Sequence, residues 1–363
     1  MVRAESKTPT GPDRARTGSR PVFIVGCPRS GTTWLYHILL SAGRFAIYRS
    51  ETNIYNAFAP AYGGFGNVRM REAFLRKWLR SEYFLRSGLD ADAFYAKAIE
   101  RGTGPGAMLR LLMEDICAYQ HAERWAECTP EYALSLARIK RDFPEALFIH
   151  IVRDGRDVAL SLAKQRFIRP LPWDSERGEL AAGAYWSWIV AAAARQAEVF
   201  PDDVLVLKYE DLVTDYARAL EIVSSFIGQR IDAARVADAR IGSVSRPNTS
   251  FAAQNGAAMH QSIGRWQTEL SAKRLAALEA VAGPMLDRFG YARGATASSA
   301  RAPKLRAALY RARFAVMWRL RTRTPLGRFA DDGVGRLQAS DIEDDPTLRP
   351  AAHLGTIRRI VEG

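Results

Sequence analysis

Apolar positions along this 363-residue chain fall into two alternating rhythms. Short runs rich in β-branched residues occur at Pro21–Gly26 (Pro-Val-Phe-Ile-Val-Gly), Ala146–Val152 and Asp203–Lys208. Unbroken runs of this length read as strands buried on both faces, the habit of a parallel sheet. Between them the apolar spacing becomes helical. It predicts helices from Gly31 to Ser41, near Glu131–Asp142, and over Gly155–Lys164, Glu179–Phe200, Asp215–Ile227, Ile231–Arg240 and Leu270–Phe289. Arg169–Arg177, with its prolines and tryptophan, and residues 242–262, rich in Gly, Ser, Pro, Asn and Gln, read as loops. Strands alternating with helices predict a three-layer α/β fold, a central parallel sheet flanked by helices.

The flanks read differently. Residues 1–20 are polar and basic without an apolar stretch, which predicts a disordered tail and no secretory signal. The domain itself is expected over 21–291. Within it, 52–125 is mainly helical and holds 12 aromatic residues in 74 positions, against 10% for the chain. That surplus serves either an acceptor-side pocket or core packing. Ala292–Ala302 reads as a small-residue linker, and 292–363 as a linker and basic extension. Arg301 and Lys304–Arg328 contribute nine basic residues and no acid. Leu305, Leu309, Ala312, Val316 and Leu320 can share a helical stripe there, but bordering arginines fit a solvated or partner-binding helix better than a membrane-surface one.

Charge and cysteines narrow the chemistry only partly. The formal charge of +13, to which 301–363 contribute 13 basic and 7 acidic residues, suits a polyanionic ligand, and also nucleic acid or an anionic membrane. The extension lacks interleaved aromatic platforms, so no nucleic-acid partner is expected. Peripheral membrane contact stays open. Cys27, Cys117 and Cys128 have no metal-ligand spacing, so no metal is expected and a reducing cytoplasm is the natural location. No run approaches the ~18 to 20 apolar residues of a membrane span.

The chemistry concentrates in Gly26-Cys27-Pro28-Arg29-Ser30-Gly31-Thr32-Thr33-Trp34, between a predicted strand and a predicted helix. Glycines let successive amides converge on an anion, and the helix N-terminus adds partial positive charge. Ser30, Thr32 and Thr33 add hydroxyls and Arg29 a full cation. A nucleotide-triphosphate P-loop reads Gly-x-x-x-x-Gly-Lys-Ser/Thr. Here Thr32 stands at the lysine position and the cation lies inside the loop, at Arg29. A second cluster is Arg153, at the carboxyl end of a predicted strand, with Ser161 eight residues later on the following helix. A cation and a hydroxyl so placed can grip one phosphate.

Pro28-Arg29-Ser30-Gly31-Thr32-Thr33-Trp34-Leu35 resembles the 5′-phosphosulfate loop of the PAPS-dependent sulfotransferases (PAPS is 3′-phosphoadenosine 5′-phosphosulfate). Ile151–Ser161 resembles that family's 3′-phosphate site. Over about residues 21–290 the resemblance implies a P-loop nucleotide-binding-like fold and PAPS as donor. It also implies transfer of a sulfuryl group to a hydroxyl or amine of a small-molecule, carbohydrate or lipid acceptor. It assigns Arg29, Ser30, Gly31, Thr32 and Thr33 to the phosphosulfate, and Arg153 and Ser161 to the 3′-phosphate. Val206–Leu212, with Tyr209, resembles the Tyr-Glu-Asp-Leu segment whose Tyr contacts adenine. Trp34 matches an adenine-stacking aromatic, though a core role fits it equally. Ser262-Ile263-Gly264-Arg265-Trp266 looks like the late lid, which implies that Gly264 and Arg265 reach the cofactor.

For the general base the resemblance implies Glu51, in Arg49-Ser50-Glu51-Thr52-Asn53. Arg29 and the loop donors can stabilise the developing charge, and a departure at Cys128 makes Glu127 a second candidate base. His37 and His150 read as satisfied structural histidines. One position departs from the pattern. Glu127-Cys128-Thr129-Pro130-Glu131-Tyr132 resembles Glu-Lys-Thr-Pro-x-Tyr, and Cys128 replaces a lysine that assists catalysis in several members. A P-loop kinase or NTPase and a non-catalytic PAPS-binding protein remain as alternatives, the second because of Cys128.

Overall fold

The computed structural model describes residues 20–48, 50–174, 178–234, 262–294 and 301–329. Four strands, β1 (Val22–Gly26), β2 (Ala126–Glu127), β3 (Leu147–Val152) and β4 (Val204–Lys208), form one parallel sheet in the order β2-β1-β3-β4. Helices of seven residues or more are α1 (Thr32–Ser41), α2 (Val68–Trp78), α3 (Ala91–Arg101), α4 (Pro105–Gln120) and α5 (Leu136–Asp142). They continue with α6 (Gly155–Lys164), α7 (Gly178–Val199), α8 (Tyr216–Ile227), α9 (Ala272–Arg288) and α10 (Arg301–Arg323). The three strands and most helices expected from the apolar rhythm are present within two residues. Near Glu131–Asp142 a 3-10 turn over Pro130–Leu134 precedes the shorter α5. Strand β2 is only two residues long, too short to leave a pattern. Residues 1–19 and most of Ile231–Arg240 and 242–262 lie outside the described residues.

The sheet is buried on both faces because its side chains alternate between two cores. Phe23, Val25, Phe148 and Val152 join the core beneath α7, while Val22, Ile24, Leu147, Ile149 and Ile151 pack with α1 and α8. His150 shares the α7 face, edge-on to Phe289. Neither of its ring nitrogens has a hydrogen-bond partner, so it is not the satisfied histidine expected from sequence. Burial, then nearby Arg288, pushes its pKa down to about 3 and keeps it neutral.

Two regions add to the sequence reading. The aromatic residues of 52–125 mostly pack on one another: Phe58, Phe65, Phe74, Trp78, Phe84 and Phe94 are all buried, with neighbouring rings 4.6–5.9 Å apart. They extend the core beneath α7, the core-packing alternative of the sequence reading, and do not line the cavity beside Glu51. The second region is at the far end, where α10 packs on α7 and α9 instead of standing free. Its buried face is not the aliphatic stripe, since Leu305 is 75% and Val316 51% exposed, while Ala307 and Tyr310 are buried. Tyr310, Phe314 and Trp318 repeat every four residues and win the inward face, because aromatic rings bury more area than the aliphatic set. The Leu171 amide donates to the Tyr310 hydroxyl at 3.0 Å, fastening α10 to the loop before α7. Among the described residues no helix is long and apolar enough to cross a membrane.

Tyr310→Ala should cost about 3 kcal/mol, as for other buried aromatic truncations. Leu305→Ala, on the outward stripe of the same helix, should stay within about 0.5 kcal/mol of wild type. Urea unfolding followed by circular dichroism measures both, and equal losses would contradict the helix orientation described.

Candidate functional site

The sheet's connections run outward in opposite senses from β1 and β3, so the carboxyl ends of these neighbours frame a crevice of the kind where α/β sheets bind ligands. Their register pairs Gly26 with Ile151. A Cβ on Gly26 would fall 2.5 Å from the Ile151 carbonyl oxygen, so only glycine lets the loop leave β1 here. Gly31 (φ 92°) is equally constrained, because a Cβ would meet the Tyr209 ring at 2.4 Å. Gly31 caps α1 without a side-chain partner for its first amides, and no acid lies in the first turn. The helix therefore presents uncapped N–H groups to the loop.

Arg29 adopts a left-handed backbone (φ 75°), a conformation that costs a non-glycine residue on the order of 1 kcal/mol and clusters at functional sites. Its Nε donates to Ser161 Oγ at 3.0 Å. Arg153, just beyond β3, donates from Nη1 to the Arg29 carbonyl oxygen at 3.3 Å and from Nη2 to the Ser262 carbonyl oxygen. Its guanidinium lies 4.6 Å over the Tyr209 ring. Burial, then the charge of Arg153, lowers the Arg29 pKa. Among the described residues neither arginine forms an ion pair. Ser30 Oγ and Arg153 Nε are buried with no hydrogen-bond partner. Two adjoining guanidinium groups, a stranded hydroxyl and open helix amides are what a polyphosphorylated or sulfated anion would satisfy.

The late segment folds over this cluster. Asp157 accepts from the Gly264 amide at 2.8 Å and the Trp266 amide at 3.0 Å, while Ser262 Oγ and the Tyr209 hydroxyl are 2.9 Å apart. Arg156 is bound to Asp154 and Glu279 and lies 3.6 Å over the Trp266 ring. Arg265, expected at the phosphates, instead pairs with Glu269 one turn away at 2.8 Å. Its neighbour's amide at Gly264 is likewise engaged by Asp157. Trp34 stacks on Tyr216 (6.0 Å, 11° between planes) and meets Tyr209 edge-on, which leaves it half-buried in an aromatic trio.

Carboxylates occupy the other side of the loop. Glu127 is fully buried, and its two oxygens accept from the amides and hydroxyls of Thr52 and Thr129 at 2.5–3.2 Å. Burial still raises its pKa to about 7 against those bonds. Through these four bonds, three of them to Oε1, Glu127 braces the Glu51 segment against β2, and it is buried away from the cavity that Glu51 lines. Glu51 keeps solvent access through a cavity while protein surrounds it on most sides. That burial, then Glu131 and Glu127, pushes its pKa up to about 8. Glu131, which sequence reading left without a role, lines the same cavity and accepts from the Tyr185 hydroxyl at 3.2 Å. The only signal for it was the variable position of the Thr-Pro-x-Tyr stretch. Between loop and carboxylates lies Cys128, sharing a hydrogen bond with Thr32. Its thiol pKa is raised by burial, then by Glu127, Glu51 and Glu131, which keeps it neutral.

The cavity has a volume of about 850 Å³, with Asn53 and Asn56 beside the carboxylates. These follow from a π-helical turn at Ile54–Phe58, a local irregularity frequent at functional sites.

A profile of the sulfotransferase family matches residues 21–233. Among solved structures, the sulfotransferase domain of an olefin synthase from Synechococcus PCC 7002 superposes with a TM-score of 0.50 at 18% identity, over 82% of this chain and 95% of that one. The sulfotransferase domain from the curacin biosynthetic pathway gives 0.50 at 18% identity, over 76% and 98%. At such identities these likenesses establish the fold. No curated protein sequence matches the chain significantly.

Inorganic pyrophosphate is expected to raise the unfolding temperature, a hundredfold excess over its Kd adding ~2.7 kcal/mol. Arg153→Ala should remove most of that rise in scanning fluorimetry, and an undiminished rise would locate the anion elsewhere.

Proposed function

The chain belongs to the sulfotransferase family, an enzyme family that uses PAPS, and on that footing we propose that it transfers a sulfuryl group from PAPS to a hydroxyl of an acceptor seated beside Glu51. The observation that carries the reading is the meeting of Arg29 and Arg153 with no ion pair to either among the described residues, next to the stranded Ser30 hydroxyl. Ser30, Thr32, Thr33 and the amides after Gly31 would hold the 5′-phosphosulfate, and Arg153 with Ser161 the 3′-phosphate. Tyr209 and Trp34 flank the place for the base. Bound PAPS supplies a sulfuryl group whose bond to the 5′-phosphate oxygen breaks as the acceptor oxygen bonds to sulfur, the electron pair remaining on the phosphate.

The chain's own residues manage the charge and the proton. Arg29 faces the oxygen that gains charge, a role in which fixed cations are worth more than in water. Glu51 takes the acceptor's hydroxyl proton. A carboxylate whose pKa is near 8 is a stronger base than an ordinary one, and part of it is ionised at neutral pH. Glu127 positions that segment through Thr52. A triphosphate-using enzyme fits less well, since Thr32 offers no cation at the lysine position. Binding without turnover draws its support from the neutral Cys128 alone.

Glu51→Gln is expected to lower kcat by about 10²- to 10⁴-fold with the affinity for adenosine 3′,5′-bisphosphate unchanged by calorimetry. Full activity in that variant would remove Glu51 from the mechanism. Because the base must be deprotonated, transfer by the wild type should increase with pH through about 8. Cys128→Lys would put an ammonium beside Glu51, favour its charged form, and move that rise to lower pH. A pH–rate profile of labelled sulfate transfer from PAPS into a cell extract reads both, and an unmoved profile would show that Cys128 does not face the base.

A further inference from the structure

The cavity beside Glu51 is chemically divided. Glu51 and Glu131 lie at the donor-loop end, because the Pro130–Leu134 turn that carries Glu131 packs on β1, which runs into the loop, and Thr52 beside Glu51 is bonded to Glu127 of the neighbouring β2. Beyond them the lining is largely apolar and aromatic, chiefly Tyr185 and Trp188 of α7 and Phe314, Met317 and Trp318 of α10, with Arg321 of α10 as its one cation among the described residues. The rings interlock across these helices. Tyr185 meets Phe314 edge-on at 5.3 Å, Trp188 stacks on Phe314 at 5.8 Å, and Trp188 meets Trp318 at 6.3 Å. The rim is apolar as well, since Met317 is 60% and Leu326 54% exposed while both line the cavity. Helix α10 begins 68 residues after the family match ends at 233, so its half of the wall lies outside the matched region while the α7 half lies within it. Arg321 of α10 also acts on Glu131, favouring its charged form.

A cavity whose polar groups are two carboxylates, two amides and Arg321, which acts on Glu131, and whose remaining lining is aromatic and aliphatic, fits an amphiphile better than a sugar with hydroxyls all round. Each sugar hydroxyl placed against Trp188 or Phe314 would lose water without gaining a partner. A chain or fused-ring body would instead displace water from the aromatic faces, and about 850 Å³ falls within the usual range for one drug-sized ligand.

We propose that the acceptor is an elongated apolar alcohol, its hydroxyl at Glu51 and its body clasped between α7 and α10, which makes α10 the element that selects the acceptor. The proposal rests on the sulfuryl-transfer reading and adds the acceptor class to it. Tyr185 spans the two halves, its hydroxyl on Glu131 and its ring on Phe314. Tyr185 therefore couples occupation of the apolar part to the carboxylate end.

The test uses the full chain with saturating adenosine 3′,5′-bisphosphate and a series of 1-alkanols from hexanol to decanol, followed by tryptophan fluorescence. Affinity should rise about three- to fourfold per added methylene. Met317→Glu and Leu326→Glu sit at exposed rim positions that the fold tolerates. Each should weaken 1-decanol at least tenfold without changing bisphosphate affinity. Leu305→Glu, on the outward stripe of α10, should change neither. With labelled PAPS, 1-decanol should become sulfated in preference to glucose. Bisphosphate binding with a flat alkanol series, or rim variants that bind decanol as wild type does, would overturn the proposal. Absence of bisphosphate binding would instead overturn the transfer reading beneath it.

Discussion

Two guanidinium groups held together, neither in an ion pair among the described residues, set the terms for the rest of this fold. Arg29 and Arg153 repel each other, and burial strengthens that repulsion by excluding the water that would screen it. The framework keeps them adjacent nonetheless. Gly26 lets the loop run against the Ile151 carbonyl, Tyr209 supports the face of Arg153, and the carbonyls of Arg29 and Ser262 take its donors. Behind them, Arg156 with Asp154 and Glu279, and Asp157 with two late amides, fix the covering segment in place. The resulting cost is electrostatic, and under the proposed function a bound polyanion would offset it.

Charge of the opposite sign gathers a few residues away, and the two groups are kept apart by neutral side chains. Cys27 and Cys128 lie between arginines and carboxylates, and burial holds both thiols uncharged. A lysine in place of Cys128 would pull Glu51 and Glu127 toward their charged forms. The thiol lets Glu51 retain a high proton affinity beside a cationic loop. Sequence alone presented Cys128 as a missing charge; the geometry presents it as an insulator.

How much of this was legible in the sequence follows from how far each signal reaches along the chain. The strands were readable because burial on both faces demands unbroken apolar runs. The phosphate loop was readable because glycine spacing and the displaced cation sit within nine residues. Long-range partners left no such trace. Glu127 reads as a second candidate base, with nothing local to show its bond to distant Thr52. Arg265 reads as a phosphate ligand by resemblance, and its pairing with Glu269 one turn on was not legible beside that motif. The helical periodicity of α10 was visible, but two faces of one helix were both apolar, and only packing against α7 decided between aliphatic and aromatic. Glu131 carried no local signature, since its role arises from sharing a cavity with a residue eighty positions earlier.

That sharing has a consequence for synthesis. All four strands, and with them the adjoining loops that carry Arg29 and Arg153, are complete once residue 208 has been made. The wall of the cavity waits for residues 314–326. Because a domain folds as a unit, the residues that carry the arginines leave the ribosome first but wait for the covering segment from Ser262 and for α10 before either half of the site is complete. The two halves of the site are thus synthesised donor first and acceptor last, but neither is complete until late in the chain.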